Sequence, residues 1–181
     1  MQSIDVGEIR EVLERLGRLA AAEEWSTELN PAQRAALDYL ARANRFSRTP
    51  STIADYLCTT RGTASQTLKA LERKGLVEAR RSAADKRSIS YDLTPAGHEA
   101  TEHRGMLESA IADLPTEMAE NLHATLRRIA RDALRRRGNR AFGHCRTCRH
   151  NGSRPGGAYC TLLDVALEPH ETGQICHEHQ E

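Results

Sequence analysis

Ile9, Val12, Leu13, Leu16 and Leu19 recur at steps of three and four along residues 4–24, which places them on one face of an amphipathic helix. Asn30-Pro31 then reads as an N-cap followed by proline at the first helical position, opening a helix that turns Ala36, Leu37 and Leu40 inward and ends near Asn44. Thr49-Pro50 repeats the signal for a short helix with Ile53, Ala54 and Leu57 on its apolar side. TTRG at 59–62 is a tight turn, and Thr60 can cap the next helix, whose face Ala64, Leu68, Leu71 runs to a stop at Gly75. The period then changes. Leu76, Val77, Ile89, Tyr91 and Leu93 mark two short strands around a polar tip, SAADKR. Thr94-Pro95 starts a helix that Leu107, Ile111 and Leu114 carry to Pro115, and a last helix comes after it with Met118, Leu122, Leu126, Ile129, Ala133 and Leu134 at helical spacing. GNRAFGH then reads as a linker, and no internal repeat is seen.

This pattern is mainly α: two short helices joined by a tight turn and followed by a basic hairpin, the layout of a winged helix-turn-helix. Composition refines the picture. With one Trp and two Phe in 181 residues, the core must come from Leu, Ile, Val and Ala. The net charge of +1 says little, but between Asn44 and Tyr91 ten Lys/Arg face four Asp/Glu, and a second basic cluster, RRIARDALRRRGNR, ends at Arg140. The middle of the chain is a candidate anion-binding surface. Thr63, Ser65, Gln66, Lys69 and Arg73 lie on the outward face of the second short helix. Gln can pair bidentately with adenine, Ser and Thr can reach either base edge, and Lys can meet guanine or phosphate. Arg80, Arg81, Lys86 and Arg87 belong to the hairpin, where contact with phosphate or the minor groove is expected.

The run from LNPAQRAALDYLARANRF through TRGTASQTLKALERKGLV to DKRSISYDLTPAG resembles the MarR transcription regulators over about residues 5–138. Its most specific pieces are Asp85 and Arg87 in a D-x-R arrangement, and the Leu93-Thr94 and Gly97 that close the wing. The resemblance implies a homodimer in which the first helix and the last two pack across a two-fold axis as dimerisation arms. Both reading helices would then face a pseudopalindromic operator in double-stranded DNA. Thr63, Ser65, Gln66 and Lys69 would occupy the base-reading stretch, and Arg87 the wing tip. Cys58, in LCTTRG between the two short helices, reads as a small packed residue rather than a redox sensor, because no resolving thiol is evident outside the tail.

Four of the five cysteines lie near the C-terminus, with the spacing C-x2-C-x11-C-x15-C on Cys145, Cys148, Cys160 and Cys176. A segment of this size has too little apolar surface to fold alone, and a bound metal would supply the missing free energy. No apolar run approaches the roughly 20 residues that span a bilayer, and MQSIDVGEIR lacks the features of a signal peptide. A cytoplasmic location is therefore expected, without membrane partners, and there clustered thiols bind metal more often than they pair. Soft thiolates select zinc or iron-sulfur clusters. Structural zinc sites usually present two close pairs, whereas here one pair is close and two cysteines arrive singly. The pattern is similar to that of high-potential iron-sulfur proteins, including the apolar pair after the third cysteine in CTLL. A [4Fe-4S] cluster is expected, with zinc or [2Fe-2S] as alternatives.

The sequence thus predicts a MarR-like domain over 1–138 and a small, loop-rich, metal-bound extension over 139–181. The expected function is a dimeric DNA-binding regulator, acting as a repressor, whose cluster reports redox state, oxygen, nitric oxide or iron. The alternative is a regulator with a structural zinc tail and a small-molecule pocket. No nucleotide-binding glycine pattern and no catalytic triad is present, so enzymatic activity is not expected.

Overall fold

The computed structural model describes residues 5–24, 29–81, 89–102, 105–140 and 142–180. Four helices begin where polar caps stand. In α2 (Pro31–Arg42) the Asn30 side chain accepts from the Gln33 N–H at 2.9 Å, and the Gln33 side chain accepts from the Asn30 N–H. Thr49 and Thr52 form the same reciprocal pair at the start of α3 (Pro50–Tyr56). The Thr60 hydroxyl accepts from the Thr63 N–H ahead of α4 (Arg61–Arg73), and Thr94 does so for Gly97 ahead of α5 (Pro95–Thr101). Each cap satisfies a donor that the first helical turn leaves unpaired.

The helices α2, α3 and α4 close on a core of Leu37, Tyr39, Leu40, Ile53, Leu68 and Leu71, all fully buried. The strands β1 (Val77–Arg81) and β2 (Ile89–Leu93) pair antiparallel with Val77 opposite Leu93 and Arg81 opposite Ile89. Gly75, at φ +71°, makes the left-handed turn out of α4 into this wing, a conformation that favours glycine. Gly97 is needed for space instead. A Cβ there would stand 2.0 Å from the Leu76 carbonyl oxygen, so only glycine lets α5 lie against the root of the wing.

One predicted helix is divided. The stretch expected to run unbroken from Thr94 to Pro115 forms α5 and then a separate α6 (Met106–Ala112). Gly105 is extended and caps α6, with the Glu108 carboxylate accepting its N–H. The outer elements α1 (Val6–Glu24) and α7 (Thr116–Arg136) are long and amphipathic, yet their apolar faces are open. Ile9, Val12, Leu13, Leu16 and Leu19 on α1, and Met118, Leu122, Leu126 and Ile129 on α7, are exposed in the single chain.

The tail has more regular structure than its composition suggests. The short strand β3 (Gly143–His144) pairs with β7 (Ile175–Cys176), and β4 (Asn151–Arg154), β5 (Gly157–Cys160) and β6 (Val165–Ala166) form a meander between them. The tail also returns to the helical core. Ile175 joins the buried cluster, and its carbonyl accepts the Asn44 N–H at 2.9 Å. Phe142, in the stretch read as a linker, stands edge-on to Tyr39 and Tyr56, with ring centres 6.1 and 5.1 Å away. That stretch is an anchor: its partly buried ring packs against the core cluster instead of leaving the segment as a free spacer.

Candidate nucleic-acid interface and four-thiol site

The face of α4 opposite Ala64, Leu68 and Leu71 carries the side chains expected to read DNA. Thr63, Gln66, Lys69 and Arg73 are exposed, and Ser65 is half-buried. Because α4 buries its apolar stripe against α2 and α3, these groups project outward along about three turns. The Thr63 hydroxyl is partly committed, standing 2.9 Å from the capping Thr60 hydroxyl. On the wing, Arg80 and Arg81 are exposed. Arg80 is already balanced by carboxylates, its Nε 2.6 Å from Asp92 Oδ2 and an Nη 2.8 Å from Glu78 Oε1. Lys86 and Arg87, with Asp85 beside them, lie outside the described residues.

Cys58 departs from expectation. It is exposed rather than packed, sits at φ +51° in the turn between α3 and α4, and its sulfur accepts from the Asn139 side chain at 3.8 Å. The tight turn demands the left-handed conformation there, which points the side chain outward.

In the tail, the fold brings Cys145, Cys148, Cys160 and Cys176 into one neighbourhood. The β3–β7 pairing sets Gly143 opposite Cys176, and a 3-10 turn starting at Cys145 places Cys148 one turn on, its N–H bonded to the Cys145 carbonyl at 3.0 Å. The meander returns Cys160 opposite Asn151. Cys145 and Cys176 are buried, and Cys148 and Cys160 are partly so. Burial first, then the neighbouring Cys176, Cys148 and Cys160 and the Glu171 carboxylate, push the Cys145 thiol up to about 11. Among the described residues, no three His, Cys, Asp or Glu side chains stand close enough to share a single metal ion. The Gln180 N–H reaches Cys148 Sγ at 3.5 Å, and the buried side-chain oxygens of Asn151 and Gln174 have no hydrogen-bond partner.

The donor set suits a group built of soft cations. Burial and the three neighbouring sulfurs make the Cys145 thiol resist ionisation, and a cationic centre would remove that penalty. A cluster tolerates wider sulfur spacing than one tetrahedral ion does, since zinc holds its sulfurs at roughly 2.3 Å from a common centre. Asn151 lies across the strand pair from Cys160.

Sequence reasoning missed the contacts that seat this site against the helices. Arg45 Nη1 is 2.7 Å from the buried Glu171 carboxylate, and its Nη2 donates to the Ala166 carbonyl at 2.9 Å. Ser47 is fully buried, and its hydroxyl oxygen accepts the His177 N–H at 3.0 Å. Arg140 pairs with Glu178 at 3.1 Å. No local periodicity announces such pairs, because their partners lie about 40 to 130 positions apart. Phe142 was the one available signal, a scarce aromatic inside a polar stretch.

Comparison with known proteins agrees with the helical part. Residues 27–88 match the MarR family. Among solved structures, S. aureus MepR in its DNA-binding conformation aligns with TM-score 0.58 and 25% identity, over 69% of this chain and 95% of that one. The S. aureus MepR–DNA complex aligns with TM-score 0.57 and 24% identity, over 72% and 99% of the two chains. Streptococcus pneumoniae FabT in complex with DNA gives TM-score 0.57 and 23% identity, over 71% and 97%. No curated protein matches the chain by sequence. No described helix is long and apolar enough to cross a membrane. With its capped helix-turn-helix and its two-stranded wing, the helical part of this chain has the winged-helix fold, and its residues 27–88 are similar to the MarR family.

Proposed function

We propose that this chain is a homodimeric transcription regulator, acting as a repressor, that binds a pseudopalindromic operator in double-stranded DNA. A [4Fe-4S] cluster held by Cys145, Cys148, Cys160 and Cys176 would set how tightly it binds. The observation that carries the regulatory part is the convergence of four thiols on a tail packed into the reading head, where Cys145 is held up at about 11 by burial and by the other three.

The DNA-binding part is supported by the exposed polar face of α4 and by the likeness to MepR and FabT, both solved with DNA. Gln66 and Lys69, three residues apart, point along one line and suit base edges in the major groove. Arg73 and Arg81 suit phosphates. Dimerisation is supported by the open apolar faces of α1 and α7, which are too extensive to leave in water. When bound, the cluster supplies a centre whose charge changes on oxidation or loss. The chain's own residues do the rest. The four thiols give up protons to ligate, and the Gln174 carbonyl holds the Cys145 N–H at 3.0 Å. Ile175 and Glu171 fasten the tail to the head.

The test is to purify the protein without oxygen, record its visible spectrum, count iron, sulfide and zinc per chain, and titrate loaded and stripped forms against the same operator. About four irons and four sulfides with unequal DNA affinities support the reading. A colourless protein with one zinc replaces the cluster by a structural staple, and equal affinities end the sensing role.

A further inference from the structure

The segment between α2 and α3, residues 43–48, touches three parts of the molecule at once. On one side it meets the cysteine-bearing tail. The Asn44 N–H bonds to the Ile175 carbonyl, Ala43 and Ile175 form a parallel bridge, the His177 N–H bonds to Ser47 Oγ, and Arg45 pairs with Glu171. On a second side it closes the helix-turn-helix. The Ser47 carbonyl accepts both the Tyr39 hydroxyl at 2.7 Å and the Thr52 hydroxyl at 2.8 Å. On the third side it holds the wing. The Arg48 carbonyl accepts the Tyr91 N–H at 3.0 Å, and Arg48 Nη1 lies 2.7 Å from the Asp92 carboxylate that also pairs with Arg80. The Arg48 guanidinium in turn donates twice to the Ala43 carbonyl, at 3.0 and 2.9 Å, which ties the tail side of the segment to the wing side.

From this arrangement we infer that residues 43–48 are the relay by which the four-thiol site acts on DNA reading: the folded tail clamps this segment, and the segment positions the wing. The inference rests on the reading that the four cysteines hold a metal group, and it names the route of regulation. The route runs within one protomer, from Cys176 through Ile175 and Asn44 to Arg48, Asp92 and Arg80, rather than through the spacing of the dimer helices. Its physical basis is that Asn44 and Ser47 are almost wholly buried, so their polar groups need the partners the tail supplies. A tail that loosens takes away the acceptor of the buried Asn44 N–H and the His177 N–H that Ser47 Oγ accepts, leaving the Ser47 hydroxyl only its bond to Asn44 Oδ1, and the segment must rearrange to replace them. Arg48 and the wing strand bonded to it then move with the segment.

The experiment is amide hydrogen exchange on the full-length protein, loaded without oxygen and again after stripping with a metal chelator. The Asn44 and Tyr91 amides report the two ends of the relay. Both should lose protection together on stripping, by roughly tenfold or more. Glu171→Gln, which weakens the clamp without touching a thiol, should keep its metal content yet raise exchange at both amides in the loaded form. Lost protection at Asn44 with Tyr91 unchanged would overturn the route to the wing. No change at either amide would overturn the clamp altogether. Operator titration of the same loaded and stripped preparations separates the levels. Unequal affinities with unchanged amides leave metal-dependent binding standing by another route, whereas equal affinities remove the regulatory reading itself.

Discussion

Arg45→Met offers a direct measure of how firmly the tail is seated. In the native chain the Glu171 carboxylate is 3% exposed, and it accepts from Arg45 Nη1 at 2.7 Å and from the Glu168 N–H at 2.8 Å. Arg45 also gives a bond to the Ala166 carbonyl. Removing a partner from a buried ion pair costs about 3–5 kcal/mol when both charges are dry. Here the arginine side chain is 45% exposed, so water screens part of the attraction and the surviving amide bond keeps Glu171 partly satisfied. With the lost Ala166 bond, at about 1 kcal/mol, the expected destabilisation is about 2–3 kcal/mol. For a chain of this size that corresponds to a fall in Tm of roughly 4–12 °C. Arg10→Met, which breaks an Arg10–Glu14 pair on the exposed face of α1, serves as the control and should cost less than about 1 kcal/mol. The assay is thermal and urea unfolding followed by circular dichroism, at one protein concentration and with matched metal content. If Arg45→Met proved no more costly than Arg10→Met, the tail would not be held by this buried pair, and the reasoning from burial would fail.

Four further outcomes are expected. Cys176→Ser, at a buried ligand position, should lower the iron or zinc content per chain several-fold by elemental analysis, whereas Cys58→Ser, at the exposed turn, should leave it unchanged. Lys69→Ala should weaken binding to all duplexes and reduce the slope of log K against log salt by about 1, while Gln66→Ala should cost about 1–3 kcal/mol on the preferred operator and less on unrelated DNA, both read by fluorescence anisotropy. Gly97→Ala should destabilise the head by about 1–3 kcal/mol in urea titration, because the new Cβ meets the Leu76 carbonyl oxygen head-on. In the metal-free chain, Cys145 is raised by burial and its neighbours from 9.0 to about 11, so the folded state holds this proton longer than the unfolded state. Stability should therefore be intact below about pH 9 and decline toward pH 11, and Cys145→Ser should flatten that decline.

Much of the architecture was written locally. Asn30-Pro31, Thr49-Pro50, Thr60 and Thr94-Pro95 mark helix starts because a capping side chain acts on a backbone N–H only two or three residues away. The core face of α4 and the alternation of the wing come from periods of 3.6 and 2, which need only neighbouring residues to be read. The same periodicity could not see that Gly105 interrupts the helix after Thr94, since an apolar residue on either side of the break satisfies the pattern.

By itself, then, the sequence determined the elements, the polar face of α4 and the four thiol positions, all properties of short stretches. Only the tertiary structure decided where the tail goes. The pairings Arg45–Glu171, Ser47–His177 and Asn44–Ile175 join residues more than 120 positions apart. Each depends on a partner that a linear reading does not bring near. Burial creates the need: an enclosed N–H, hydroxyl or carboxylate must find its complement wherever the fold has brought one, and at residues 43–48 the complement came from the tail.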